Sequence, residues 1–306
     1  MPQLVLPQAT IDYRVIGPDT SPHPPVVFVH GILVDNRLWT AAAETLAKQG
    51  YRCYLPNLPL GSHTIPVTDT AVLSPSGMAD LVHDFITELG LQDVTLVGND
   101  TGGGICQLVV DAHPGRIGRM VLTNCDAFEQ FPPFPFTLVF ALLRGPRSIK
   151  VLAEQLRLRP LRHSPLGYGL LMTRPDARLT DSWLAPARHD VRIRRDLATL
   201  LRAVAATDLT DVGTRLNRFT KPVTLVWGQR DRCFTPELGR RLAAAFPAAT
   251  LVTVPDATTF VALDNPAAVV QAVADITAAS TSPEEVIHRP SHEGRGSSVP
   301  GPSVSP

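Results

Sequence analysis

Residues 94–108, Val94-Thr-Leu-Val-Gly98-Asn-Asp100-Thr101-Gly102-Gly-Gly-Ile-Cys-Gln-Leu108, decide how this chain folds. A β-branched run leads into Gly98-Asn-Asp100-Thr-Gly102 and passes directly into a helical pattern. Glycines two positions either side of Asp100 let the chain turn tightly and let helix and strand approach closely. Asp100 is thereby presented at a helix N-terminus, where the backbone dipole favours an anion.

Strand, sharp turn and helix in this order are the setting of the G-x-S-x-G nucleophile elbow, with an aspartate in the nucleophile position. Thr101 is a poorer nucleophile candidate, because residue 99 is not glycine. Upstream, His30-Gly31 follows the apolar strand Pro25–Val29, which places the Ile32 N–H to join that of Thr101 in an oxyanion or leaving-group hole. Downstream, Asp231 follows the strand that begins at Thr224, at the carboxyl end where a supporting acid stands. Asp126, after the strand Met120–Cys125, is a second candidate for that acid.

Further out, short β-branched runs alternate with helical patterns, which predicts an α/β fold with a mostly parallel central sheet of about eight strands flanked by helices. Strands are expected at 11–16, 26–29, 52–55, 94–97, 120–123, 223–227 and 251–254. Ser74-Pro75, Thr235-Pro236 and Asn265-Pro266 mark helix starts, each a capping residue followed by proline. From 127 to 218 the strand rhythm gives way to a Pro-rich opening and a run rich in Leu and Arg, expected to form a helical cap, or lid, over a core of 1–126 and 219–279. Residues 280–306, dominated by Ser, Pro, Gly and charge, are expected to be a disordered tail.

These residues resemble the α/β-hydrolase fold, in particular its aspartate-nucleophile branch of epoxide hydrolases and haloalkane dehalogenases, over about residues 10 to 279. The resemblance implies a catalytic histidine after the last strand, but Val254-Pro-Asp-Ala-Thr-Thr259-Phe puts Thr259 in that slot. A carboxylate with an ordinary pKa of about 3.9 is ionised at neutral pH and can attack without a base. Cleaving the resulting ester needs a deprotonated water, and threonine supplies no base. Histidines from elsewhere are His63 in the Gly61-Ser-His-Thr loop and His163 and His189 in the cap, while His30 is read as a structural loop residue. The tryptophan that the dehalogenases carry after the nucleophile is Thr101 here, with Trp39 as a possible pocket residue. Of the two cap tyrosines implied by the epoxide hydrolases there is only Tyr168, with Trp183 as another donor.

The expected function is therefore attack by Asp100 on a small or medium apolar electrophile, an epoxide or a C–halogen carbon. Two alternatives stay open: a non-hydrolytic lyase, isomerase or cyclase with Asp100 as base, and a catalytically impaired binding protein. The 306 residues carry 28 basic and 28 acidic side chains, which argues against a nucleic-acid partner. The proposed boundaries divide that balance into a cap with 15 basic against 8 acidic residues and a core with 11 against 17, so a cap preferring an anionic or polarisable group is also expected. Cys53, Cys106, Cys125 and Cys233 read as reduced thiols of a cytoplasmic protein. No signal peptide, membrane span, metal-ligand spacing or cofactor motif is found, so the expected partner is a small-molecule substrate, with no cofactor and the oligomeric state open.

Overall fold

The computed structural model describes residues 1–281. Eight strands form one sheet: β1 (Gln3–Val5), β2 (Thr10–Ile16), β3 (Val26–Val29), β4 (Cys53–Pro56), β5 (Val94–Asp100), β6 (Ile117–Cys125), β7 (Val223–Gly228) and β8 (Ala249–Val254). Their order is β1-β2-β4-β3-β5-β6-β7-β8, with β1 and β2 antiparallel to their neighbours and the rest parallel. β3, β5, β6 and β7 are apolar and buried almost throughout, as parallel strands covered on both faces must be. β1 was not anticipated: three residues with a single half-buried side chain leave almost no periodic signal. β5 and β6 run further than their β-branched cores suggest, and β5 ends on Asp100 itself.

Helices α1 (Thr40–Lys48), α2 (Pro75–Glu88) and α3 (Thr101–Ala112) precede β6, and α10 (Pro236–Ala245), α11 (Val261–Asp264) and α12 (Pro266–Thr281) follow β7. The expected caps form: Ser74 Oγ accepts from Gly77 N at 3.0 Å, Thr235 Oγ1 from Leu238 N at 3.4 Å, and Asn265 Oδ1 from Ala268 N at 3.2 Å, each with proline at the next position. Each such cap contributes roughly 1 kcal/mol. The expected tail begins too early, because Ser280 and Thr281 close α12, and the Ser280 hydroxyl donates to Ile276 O at 2.7 Å. The remainder of that tail lies outside the described residues.

Between β6 and β7 the chain forms α4 (Phe136–Leu142), α5 (Pro146–Gln155), α6 (Arg159–Arg162), α7 (Ala177–His189), α8 (Val191–Ala205) and α9 (Thr210–Arg215). Trp183, Leu184, Leu197, Leu200 and Leu201 are buried within this segment. Its arginines act as internal ties: Arg162 and Arg188 both reach Asp181, and Arg194 donates to the carbonyls of Ala187 and Arg188. Arg215 crosses to Asp111 of α3, joining the inserted segment to the core. The four cysteines are free and buried, and burial pushes the Cys53 and Cys233 thiols up to about 12. Among the described residues no helix is long and apolar enough to cross a membrane.

Candidate active site

The turn from β5 into α3 holds Asp100 at φ 53°, a left-handed conformation that a non-glycine residue rarely adopts. Such a backbone costs on the order of 1–3 kcal/mol and persists where the surroundings impose it. Here they do: a Cβ on Gly102 would lie 2.4 Å from Val29 O, so only glycine lets α3 come this close to β3. A Cβ on Gly31 would lie 2.0 Å from Asp100 Oδ2, which explains why glycine follows His30. The N–H groups of Thr101 and Ile32 lie against the Asp100 carboxylate and pull its pKa down. Burial outweighs them and, with repulsion from Asp231, pushes Asp100 up to about 7. The Asp100 carboxyl is thus harder to ionise than the ordinary carboxylate expected from the sequence.

Asp100, Thr101, Ile32 and Leu33 form the floor of a narrow cavity of about 60 Å³. Its walls are apolar and come mainly from the inserted helical segment, including Phe136, Phe140, Leu143, Leu156 and Leu184. No lysine or arginine lines it, so the positive surplus of that segment does not reach the cavity. The expectation of a cap that prefers an anionic group finds no support in these walls. Tyr168 does line the cavity, but its hydroxyl donates to Leu33 O at 2.5 Å. Burial, together with the nearby Asp35, raises its pKa further.

On the other side of Asp100, Asp231 is buried and accepts four hydrogen bonds. Cys233 N and Phe234 N donate to Oδ1 at 2.8 and 3.1 Å, and Asn124 Nδ2 and Thr259 Oγ1 donate to Oδ2, both at 2.9 Å. These donors moderate the effect of burial, which still pushes Asp231 up to about 6. Thr259 therefore donates to the acid that would orient a histidine in that slot. Asn99 Nδ2 holds the Thr259 carbonyl at 2.7 Å, and Asn124 Oδ1 accepts from Gly228 N at 2.6 Å. Sequence reasoning passed over both asparagines, although an amide at the end of an otherwise apolar buried strand is a signal for such a bridge.

Asp126 is fully buried and both its carboxylate oxygens lack a hydrogen-bond partner. The Thr101 side chain lies near enough to lower its pKa but not in hydrogen-bond geometry. Burial, then the charge of Asp100, raises the Asp126 pKa well above its ordinary value. Thr259 bonds to Asp231 and not to Asp126.

The remaining candidates lie elsewhere or are engaged. His30 is buried with both ring nitrogens used, accepting from Leu58 N at 2.9 Å and facing Gly31 O at 2.9 Å, and burial lowers its pKa to about 4. His63 takes Gly61 N at 3.2 Å and faces Asp196 of α8 at 3.3 Å, which makes it a clasp between core and inserted segment. His163 faces Thr180 at 3.1 Å, and His189 lines a separate groove. Trp39 is a core residue packed on Phe28. Trp183 donates to Asp35 Oδ1 at 3.0 Å and packs between Tyr168, at a tilt, and Phe260, in a T-shaped contact. Among the described residues no cluster of His, Cys, Asp or Glu is arranged to hold a metal ion.

A family model for the alpha/beta hydrolase fold matches residues 24–266. The chain belongs to the α/β-hydrolase fold family. Within that family it is 28% identical over 236 residues to a 2-hydroxy-6-oxononadienedioate/2-hydroxy-6-oxononatrienedioate hydrolase of Cupriavidus pinatubonensis, covering 74% of this chain and 77% of that protein. It is 27% identical over 278 residues to haloalkane dehalogenase 2 of Mycobacterium bovis, covering 85% of this chain and 90% of the relative. Among solved structures it is similar to the enol-lactonase of Burkholderia xenovorans LB400, with a TM-score of 0.68 at 20% identity over 90% of this chain and 99% of the other, a likeness of fold.

Proposed function

We propose that this α/β-hydrolase is a hydrolase whose Asp100 carboxylate attacks a small or medium apolar electrophile, at a C–halogen or epoxide carbon. One observation carries the reading: the carboxylate stands at the strained elbow, against two backbone N–H groups, on the floor of a cavity with apolar walls. An oxygen of Asp100 forms a bond to carbon as the C–halogen or C–O bond breaks, leaving halide or alkoxide. Halide needs no proton. An alkoxide does, and the donor facing the cavity, Tyr168, must first leave Leu33 O. The geometry therefore favours halide displacement over epoxide opening. The similarity to a haloalkane dehalogenase supports the same choice.

Release is the weaker half-reaction. A water attacking the ester must lose a proton, but Thr259 has none of a histidine's basicity and donates its hydroxyl proton to Asp231. Asp231, with both oxygens occupied by donors, offers no free lone-pair face. The alkyl-enzyme ester is expected to persist. A second reading rests on the Asp100 pKa of about 7, a value suited to a general base. In that reading Asp100 removes a proton and forms no ester.

Intact-protein mass after exposure to a panel of haloalkanes and epoxides separates them. Covalent attack gives an added mass that is absent in Asp100→Asn. Product without added mass, still dependent on Asp100, supports the base. Neither adduct nor product from a broad panel removes both and leaves a binding protein.

A further inference from the structure

The helices that roof the cavity over Asp100 have two faces. On α4, Phe136, Val139 and Phe140 line the cavity at helical spacing, and on α5 Leu152 and Leu156 do the same. The opposite face of α4 carries Leu138 and Leu142, one turn apart and 60% and 76% exposed. The opposite face of α5 carries Arg147, Lys150 and Val151, all exposed. Seven of the eleven large apolar side chains that stand well exposed among the described residues lie between Phe134 and Leu166. Leu166 is 60% exposed and also lines the cavity, so the cavity reaches the surface on this side. Single exposed apolar residues are ordinary, but a concentration of them marks a contact surface.

The stretch from Phe134 to Leu166 has six basic residues and a single acidic one, Glu154. Arg162 is buried and paired with Asp181, and Arg157 pairs with Glu154. Arg144, Arg147, Lys150 and Arg159 are exposed and form no ion pair with a described residue. Unpaired cations beside bare leucines complement a bilayer with anionic headgroups, which takes apolar side chains below its phosphates and cations among them. A second copy of this chain would bring the same cations against each other, so charge opposes self-association through this face. The inserted segment as a whole has 15 basic against 8 acidic residues and the core 11 against 17, a division that turns the roof toward an anionic surface.

We infer that the outer face of α4 and α5 docks on an anionic lipid surface, with Leu138 and Leu142 at the acyl-chain boundary and Arg147 and Lys150 among the phosphates. The mouth beside Leu166 then faces the bilayer, from which an apolar ligand enters the cavity. The docking does not rest on the chemistry proposed for Asp100.

The test is flotation of the full chain with vesicles of phosphatidylcholine alone and of equal parts phosphatidylcholine and phosphatidylglycerol. Binding to the mixed vesicles is expected to be at least ~10-fold tighter than to the neutral ones and to weaken as salt is raised. Leu138→Ser with Leu142→Ser, and Arg147→Ser with Lys150→Ser, should each weaken it roughly tenfold or more. Val252→Ser, on the edge strand β8, and Asp100→Asn should bind like the parent chain, so this inference and the reading of Asp100 can fail separately. The substituted roof side chains face away from the cavity, and circular dichroism checks that each variant is folded. No flotation of the parent chain, equal flotation with both kinds of vesicle, or parent-like flotation of both double variants overturns the proposal. A dimer in sedimentation that Leu138→Ser with Leu142→Ser dissolves also overturns it, since a second copy then covers the face.

Discussion

At the Asp100 end of the site two backbone N–H groups, a strained elbow and apolar walls converge on one carboxylate that faces a cavity. At the Thr259 end the hydroxyl and both oxygens of Asp231 are already bonded to their neighbours and nothing faces outward as a base. One half presents a carboxylate to a cavity and the other holds its own shape. The difference teaches that the two ends are separable: the loop after β8 is tied to Asp231 through the Thr259 hydroxyl, independently of what the elbow presents to the cavity.

The largest effect that breaks this comparison is loss of the proposed nucleophile. Asp100→Asn is expected to cut adduct formation by at least ~10³-fold, read by intact mass, since no other group at the elbow can take over. Next, Thr259→His places an imidazole beside Asp231, where the proposed function lacks a base. Release of a preformed adduct should accelerate by roughly 10²–10⁴-fold, the usual worth of general-base assistance, and an unchanged release rate would show that residue 259 does not face the ester.

A third expectation uses pH. With Asp100 pushed up to about 7, adduct formation should rise about tenfold per pH unit below 7 and level off above it. The same shift has a thermodynamic sign. A carboxyl raised above its ordinary value near 3.8 binds its proton more tightly when folded, so stability falls as pH rises from about 4 to 7. Asp231 adds the same sign up to about 6. Asp100→Asn should therefore melt a few degrees higher than the parent chain at pH 8 and show little gain at pH 4, measured by calorimetry. Equal melting points at pH 8 would mean that burial does not penalise this charge.

Smaller effects sharpen the structural half. Asn124→Ala removes a donor from Asp231 and strands the Gly228 N–H, with an expected cost of about 1–3 kcal/mol in denaturant unfolding. Asp196→Asn weakens the clasp with His63 and Val67 N, and about 1 kcal/mol or less is expected, visible as faster amide exchange in α8.

The fold was legible where local chemistry leaves a period or a cap. Buried parallel strands such as Val26–Val29 announce themselves as unbroken β-branched runs, and the Ser74-Pro75 start of α2 needs only its own neighbours. The placement of Asp100 at the elbow and of Asp231 beyond the end of β7 was legible for a related reason: glycine spacing and strand ends fix where those residues stand. The choice between Asp126 and Asp231 was not, because it turns on which carboxylate meets Thr259 across the sheet. Nor was the ionisation of Asp100, since its desolvation comes from residues such as Phe136 and Leu184 that lie far along the chain. His63 looked available in sequence and is occupied in space by Asp196, a partner 133 positions away.

Leu33 ties these matters together. Its N–H bonds to Leu60 O, its φ is 57°, and its carbonyl takes the hydroxyl of Tyr168. It follows Ile32, whose N–H faces Asp100. Removing the Tyr168 hydroxyl would therefore strip a donor from the Leu33 carbonyl, one position along the chain from the N–H that faces Asp100, so a side chain of the inserted segment bears on the backbone beside the carboxylate.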